Sequence, residues 1–431
     1  MTDSETDPGS KNAERQQWNW QKGSFYAVVA ILALATWWRL ESSFRNNIQV
    51  DFLCFVDCAR VTFKGLDYQD LNNLTLYHWP SPQIVFPGIL VLYLPFSWID
   101  IGPAKLLYFW ASVSATVGSY WYFMRVIGLE RQVSFRSPTW LTAAYFGGLF
   151  LYLHSSPVLM ALRLGQSSIW CLWGILLVLT WKSKWSWAAF GVAAVLKYSM
   201  FFVLGPLFWV KRYYSLCLVG FAVFLLLSIY PMWLGFNLVD FYGKYLTMLK
   251  TEVSTGANSF RGGGYTMVQI EFFQTAWLNL AGKLVSAAAI LWVLYRERHS
   301  RRIGMNLLLL VSCLTMLVSY HRMHDQVIVM LILTASLSIF LRSRQWWRLL
   351  FAVGFCLLTL IPFTAVLHLG DWWGRTFALH HIFILTSYLN FHCFAPLPAL
   401  TMIAVTVFAA YLYRHENSND PGFLDTPKQK E

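Results

Sequence analysis

Long apolar runs separated by short charged pieces set the pattern of this chain. The first is Ser24–Leu40, followed by Gln83–Ile99, Ala104–Met124, Thr139–Leu153, Ser168–Trp181, Ser215–Leu234 and Ala281–Tyr295. Met305–Ser319, Val327–Leu341, Leu349–Leu367, Phe377–Leu389 and Ala395–Tyr413 complete the series. Two shorter pieces, Trp187–Leu196 and Tyr198–Val210, meet at Lys197. A hydrocarbon core about 30 Å thick takes about 20 apolar residues per helix, so the pattern predicts an all-α polytopic membrane protein with about 11 to 13 transmembrane helices. Polar tails at 1–23 and 414–431 flank a membrane domain spanning 24–413. Two polar stretches interrupt it, a first outer loop at 41–82 and a long outer loop at 235–279.

Composition sharpens this reading. Charged residues make up 13% of the chain, about half the share of a soluble domain, too few to keep these runs in water. The net charge of +12 is not a nucleic-acid footprint, because the basic residues sit in short clusters between apolar runs. Arg125–Arg136, Lys182–Lys184, Lys211–Arg212, Arg296–Arg302 and Arg342–Arg348 have the pattern of cytoplasmic loops. Their expected partners are anionic lipid headgroups. Trp37, Trp38, Trp346 and Trp347 stand beside charges, where aromatic belts form. The seven cysteines lack the spacing of a disulfide framework or a zinc site. No cleavage pattern follows Ser24–Leu40, which reads as an uncleaved first span.

With the basic clusters on one side, the crossings between Lys182 and Arg348 come out even. The opposite side collects 41–82, Gly165–Gln166, Lys197, the 235–279 loop, His321–Asp325 and His368–Arg375. Two full crossings at Gln83–Ile99 and Ala104–Met124 would put Arg125–Arg136 on the wrong side, so one of them must be short or re-entrant.

The residues able to carry chemistry gather on that opposite face. Asp51 opens a predicted amphipathic juxtamembrane helix, Asp51–Lys64, with Asp57, Arg60 and Lys64 as its polar stripe. Phe52, Leu53, Phe55, Val56 and Val61 are then free to rest on lipid. Asp51 is read either as a helix N-cap or as a general base at the membrane surface, and Asp57 with Arg60 as a surface pair. His321, His324 and Asp325 share one helical face at the end of a span, as a solvated turn or as functional groups. Lys197 either snorkels to the interface or meets a phosphate. Arg163 and Gln166 either anchor a helix end or donate to the same ligand. Gly262–Gly264 reads as a turn, since no Gly-Lys-Ser/Thr follows it.

The ordered set resembles a known family. VDFLCFVDCARVTFKGLDYQDL, YHWPSP, SSPVLMALRLGQSSIWCLWGILL, AAFGVAAVLKYSMFFVLGPLFWVKR and SYHRMHDQVIVML occur in sequence over about Trp20–Leu341. Together they resemble glycosyltransferase family 87 of the GT-C superfamily, which includes polyprenol-phosphate-mannose-dependent α-1,2-mannosyltransferases. The resemblance implies a GT-C-like bundle in which Asp51 is the catalytic base. It also implies that Gly65 and Tyr68 form a small turn after the juxtamembrane helix, that Gly165 and Gln166 match a Gly-Gln pair, and that Lys197 lies at a helical hairpin. His321 or His324 matches a polar position at the head of a late span. The chain departs from the family at Leu53–Val56, where a Tyr-rich segment is usual, at His78–Pro82 and at Lys197–Tyr198.

The scheme these residues suggest is inverting transfer of a sugar, mannose first, from a polyprenyl-phosphate donor to a lipid or glycan acceptor on the non-cytoplasmic face. Asp51, His321 and His324 are its catalytic candidates; Arg163, Gln166, Lys197, Asp325 and Tyr68 are its substrate-binding candidates. It needs neither a cofactor nor a metal, and the family's mainly prokaryotic character points to a bacterial plasma membrane. The competing readings are a lipid or small-molecule transporter using the same polar face and an inactive scaffold. No half-to-half repeat of the transporter kind is evident.

Overall fold

The computed structural model describes residues 8–45, 49–75, 85–127, 140–180, 184–211, 213–255, 276–299, 303–318, 327–334, 397–416 and 422–424. They are mostly helical, joined by turns and loops, with one two-stranded antiparallel ribbon of β1 (Ile303–Gly304) and β2 (Gly422–Leu424). The all-α expectation holds, and the apolar runs are the helices.

α1 (Pro8–Arg45) is continuous through the polar N-terminal stretch, and its Lys22–Glu41 part is long and apolar enough to cross a bilayer. α2 (Val50–Thr62) follows. α3 (Leu90–Ser97) is preceded by one 3₁₀ turn and meets α4 (Ile101–Val126) at 116°. This bend settles the parity of the early crossings. Pro87–Ser97 measures about 16 Å along its axis, half a hydrocarbon core, whereas α4 is about 39 Å long. The shorter piece does not cross, and Arg125 falls at the end of the bundle that holds the other basic clusters.

The middle of the chain packs as α5 (Trp140–His154), α6 (Ser156–Leu164), α7 (Ser168–Thr180), α8 (Lys184–Leu196), α9 (Tyr198–Val210), α10 (Tyr214–Ser228) and α11 (Tyr230–Trp233). The predicted hinge at Lys197 is present, between α8 and α9. α8 lies against both α7 and α10. It approaches α10 so closely that a Cβ on Gly191 would stand 2.6 Å from the Gly220 carbonyl oxygen, the small-residue contact by which membrane helices gain van der Waals energy. α10 and α11 together make a second full-length apolar span, Tyr214–Trp233.

The long polar stretch at 235–279 contains a helix that apolar runs alone did not reveal, α12 (Leu238–Thr255). Its apolar positions recur at helical spacing but are diluted by polar ones, so it buries one stripe, including Phe241 and Tyr245. That stripe docks on the first outer loop. Gln69 Nε2 donates to the Phe241 carbonyl (3.0 Å), Lys244 Nζ pairs with Asp67 Oδ2 (2.6 Å), and the Tyr68 ring meets Phe241 edge-on. Asp67 raises the Lys244 amine above its ordinary value through the hydrogen bond and its charge, so the ammonium of this exposed pair keeps its charge into alkali. The two outer loops therefore sit at one end of the bundle.

α13 (Ala276–Glu297), α14 (Met305–Val318), α15 (327–334) and α16 (Leu397–Glu416) complete the described helices. At the basic end α13 and α16 are knotted to the end of α9. Lys211, just past α9, donates to Glu297 Oε2 at 2.5 Å; Tyr413 of α16 donates to Glu297 Oε1 at 2.5 Å; and Arg296 lies over the Tyr413 ring at 5.3 Å. Lys211 and Glu297 are buried. β2 adds part of the C-terminal tail to the same end by pairing with β1. The Lys211–Arg212 and Arg296–Arg302 clusters, placed together on charge grounds, are in direct contact through Lys211 and Glu297.

Removing one partner of such a pair strands a buried charge, a cost of about 3 to 5 kcal/mol, whereas replacing both by apolar groups is close to neutral. Lys211→Met should therefore lower the thermal midpoint in detergent sharply, and Lys211→Met with Glu297→Leu, both measured in a Tyr413→Phe background so that no phenol is left unpaired, should recover most of the loss. A double variant no better than the single one would contradict this account.

Candidate functional site

The site begins with a turn. α6 ends at Leu164, and Gly165 adopts φ +70°, the left-handed conformation that closes a helix. Gly165 also lies directly on the start of α2, where a Cβ would be 2.6 Å from the Phe52 Cβ and 3.3 Å from the Phe52 nitrogen. Only glycine satisfies both demands, the backbone angle and the absent side chain. The turn delivers Gln166, whose Nε2 donates to Asp51 Oδ2, and Ser167, whose hydroxyl donates to the Leu196 carbonyl at 3.2 Å. Lys197 is the next residue along that chain. Asp51, Gln166 and the Lys197 hinge thus meet at one end of the bundle, about 20 Å along α9 from the Lys211 knot.

Asp51 is buried, at 2% exposure, in the first turn of α2. The cap position belongs to Gln49, which is in the left-handed region at φ 41° and whose carbonyl accepts the Leu53 N–H at 2.9 Å. The N-cap reading of Asp51 is thereby corrected, because the carboxylate lies inside the helix. There it faces the positive end of the peptide dipoles and the Gln166 amide.

The juxtamembrane helix differs from its sequence reading in what surrounds it. Phe52, Phe55, Val56 and Val61 rest on protein rather than lipid, because α3 and α6 pack across α2. Asp57, read as a surface partner of Arg60, is fully buried. Its oxygens accept the Thr75 N–H at 2.7 Å and the Thr75 hydroxyl at 3.2 Å, fastening the first outer loop to α2. Arg60 donates instead to the Ser97 carbonyl (3.2 Å). Helical periodicity grouped the polar residues but misplaced Asp57, because a carboxylate supplied with donors by a neighbouring loop can be buried. Cys54 and Cys58 are free thiols 3.7 Å apart on the same helix. The Cys58 hydrogen bond and burial push the Cys54 thiol well up, leaving it a poor nucleophile.

Tyr68 follows the positive-φ turn at Gly65 and is buried, its hydroxyl donating to the Val85 carbonyl at 2.8 Å. Burial holds its phenol well above the usual range, so it stays a neutral donor. Its contacts make it a strut between the two outer loops. Arg163 is exposed on the last turn of α6, two residues before Gly165. His321, His324 and Asp325 lie outside the described residues, as does Gly262–Gly264.

Sequence reasoning missed the aromatic wall of the site. Phe52 stacks on Tyr108 (4.4 Å between ring centroids) and meets Phe96 edge-on (5.3 Å). The Tyr93 and Tyr108 hydroxyls are 2.8 Å apart, and Tyr108 donates to the Gln166 carbonyl. The available signal was two tyrosines within otherwise apolar runs, since a buried phenol needs a polar partner.

Apolar helices of membrane length, short helices folded back at one end and a buried carboxylate among them define a polytopic membrane protein with a polar site at one face. A model of glycosyltransferase family 87 matches residues 87–319, more than half of the chain. The chain belongs to that family, so it is a membrane glycosyltransferase. Gln166, Arg163, Tyr108 and Lys197 fall within the match, and Asp51 lies upstream of it. Neither a curated protein nor a solved structure matches the chain.

Gly165→Ala should cost about 2 to 4 kcal/mol, from left-handed strain and overpacking against Phe52 together. Thermal unfolding in detergent would register this as a clear drop in midpoint. An unchanged midpoint would mean the turn can reshape at no cost.

Proposed function

We propose that the protein transfers a mannosyl group from a polyprenyl-phosphate donor to a lipid or glycan acceptor, on the face opposite the basic clusters, with Asp51 as general base. The observation that carries this reading is the Asp51–Gln166 contact: a carboxylate withdrawn from water and oriented by an amide, beside the Lys197 hinge. Asp51 takes the proton of an acceptor hydroxyl as that oxygen attacks the anomeric carbon. The bond from that carbon to the phosphate oxygen breaks in the same inverting step, and polyprenyl phosphate departs as an anion. Cationic donors aimed at such a leaving group are worth about 10²- to 10³-fold each. Lys197 and Arg163 fit this role by position in the sequence and fold, and a protonated His321 or His324 fits it by position in the sequence. Exclusion of water from the carboxylate protects the activated donor from hydrolysis.

The scheme uses a lipid-linked sugar as cosubstrate and requires neither a nucleotide pocket nor a metal. It sets transport aside, since a family of glycosyltransferases makes and breaks glycosidic bonds. A bacterial plasma membrane suits a donor anchored by a polyprenyl chain.

Purified protein supplied with radiolabelled polyprenyl-phosphate mannose and a membrane lipid extract should incorporate label into acceptor. Asp51→Asn should be recovered at normal levels yet lose at least about 100-fold in turnover, the scale of general-base catalysis. Near-normal turnover by that variant would refute the role of base.

A further inference from the structure

The peptide that carries Gln166 is gripped from a side the transfer scheme does not use. Tyr108 has one hydroxyl proton, and it goes to the Gln166 carbonyl (3.2 Å). The 2.8 Å contact between the Tyr93 and Tyr108 hydroxyls must then run from Tyr93 to Tyr108, because Tyr108 has no second proton to give. A directed chain results, Tyr93 to Tyr108 to the Gln166 carbonyl, in which each hydrogen bond polarises the next. The Tyr108 ring is stacked at 4.4 Å on Phe52, the residue after Asp51. One side chain thus touches both halves of the contact, the helix turn that bears the carboxylate and the peptide that bears the amide. Stacking on Phe52 calls only for a ring; the two hydroxyls in line call for something to orient.

We propose that Tyr108 is a positioning residue for sugar transfer: its hydroxyl, aligned by Tyr93, fixes the Gln166 peptide so that the side-chain amide holds the Asp51 carboxylate in its reactive direction. This rests on the reading of Asp51 as base. It deepens that reading by assigning the orientation of the base to a pair of phenols on α3 and α4, helices that meet at 116° beside the first outer loop. The effect falls on the rate of the chemical step, because a base turned away from the acceptor hydroxyl loses rate without loosening either substrate.

The test is a double-mutant cycle on transfer from polyprenyl-phosphate mannose to a membrane lipid extract. Tyr108→Phe keeps the ring on Phe52 and removes only the hydroxyl. It should lower kcat about tenfold with KM within about twofold. In a Gln166→Ala background the same change should cost less than about twofold, since a residue acting through another has nothing left to act on. An equal loss on both backgrounds, or a raised KM with kcat intact, overturns the proposal. If Tyr108→Phe is not recovered folded, Tyr93→Phe is read on the same two backgrounds. It should show a loss of about threefold that vanishes without Gln166, and a loss that persists overturns the proposal equally. Asp51→Asn measured alongside separates the two levels. Normal turnover in Asp51→Asn sinks the base itself, whereas an inactive Asp51→Asn with an additive cycle sinks only the positioning.

Discussion

Two backbones meet at Gly165 with no room for a single carbon between them, and the geometry of the polar face follows from that contact. The left-handed turn ends α6, lays the chain against Phe52 and turns Gln166 toward Asp51. One residue further on, Ser167 reaches the end of α8. Two helices each too short to cross a bilayer alone, α2 and α6, are thereby wedged against their neighbours. A wedge of this kind is how irregular backbone survives at membrane depth, covered by protein with its polar groups paired internally.

The rest of that face is braced from outside. The Asp67–Lys244, Gln69–Phe241 and Tyr68–Val85 contacts bind the first outer loop to α12 and to the chain leading into α3. The buried Asp57 pins Thr75 to α2. Each of these contacts is polar, and each holds loop to loop or loop to helix. The carboxylate at Asp51 is held by an amide of the bundle instead, so the loops support the site without occupying it.

Much of this was legible before any coordinates. Charge-free runs gave the helices, and the lone Lys197 in an apolar stretch marked the break between α8 and α9 to the residue. The basic clusters foretold the contact between the 211 and 297 regions. What sequence could not supply came from competition between forces of similar size. Whether Asp57 faces water or Thr75 depends on a loop that periodicity does not describe. Whether Phe52 rests on lipid or on Tyr108 depends on a helix two elements away, since both surroundings are equally apolar. α12 stayed hidden because a helix that buries one stripe at an interface carries too many polar residues to read as a span. The tyrosine pair was passed over for the opposite reason, its polar signal being absorbed into runs whose average character is apolar.

The Lys211–Glu297–Tyr413 knot has a consequence for how the molecule is made. Its first two members are 86 residues apart, and its third lies 116 residues further on. At ribosomal speeds of about 5 to 20 residues per second, the ammonium waits roughly 4 to 17 seconds for its carboxylate, and the carboxylate waits longer still for the phenol. During that interval the amine stays at the headgroup boundary, where its long stem lets it keep water. The basic end of the bundle is consequently finished last, sealed only when the closing helix emerges, while the polar turn at the other end has all its members in place after fewer than half of the residues have been translated.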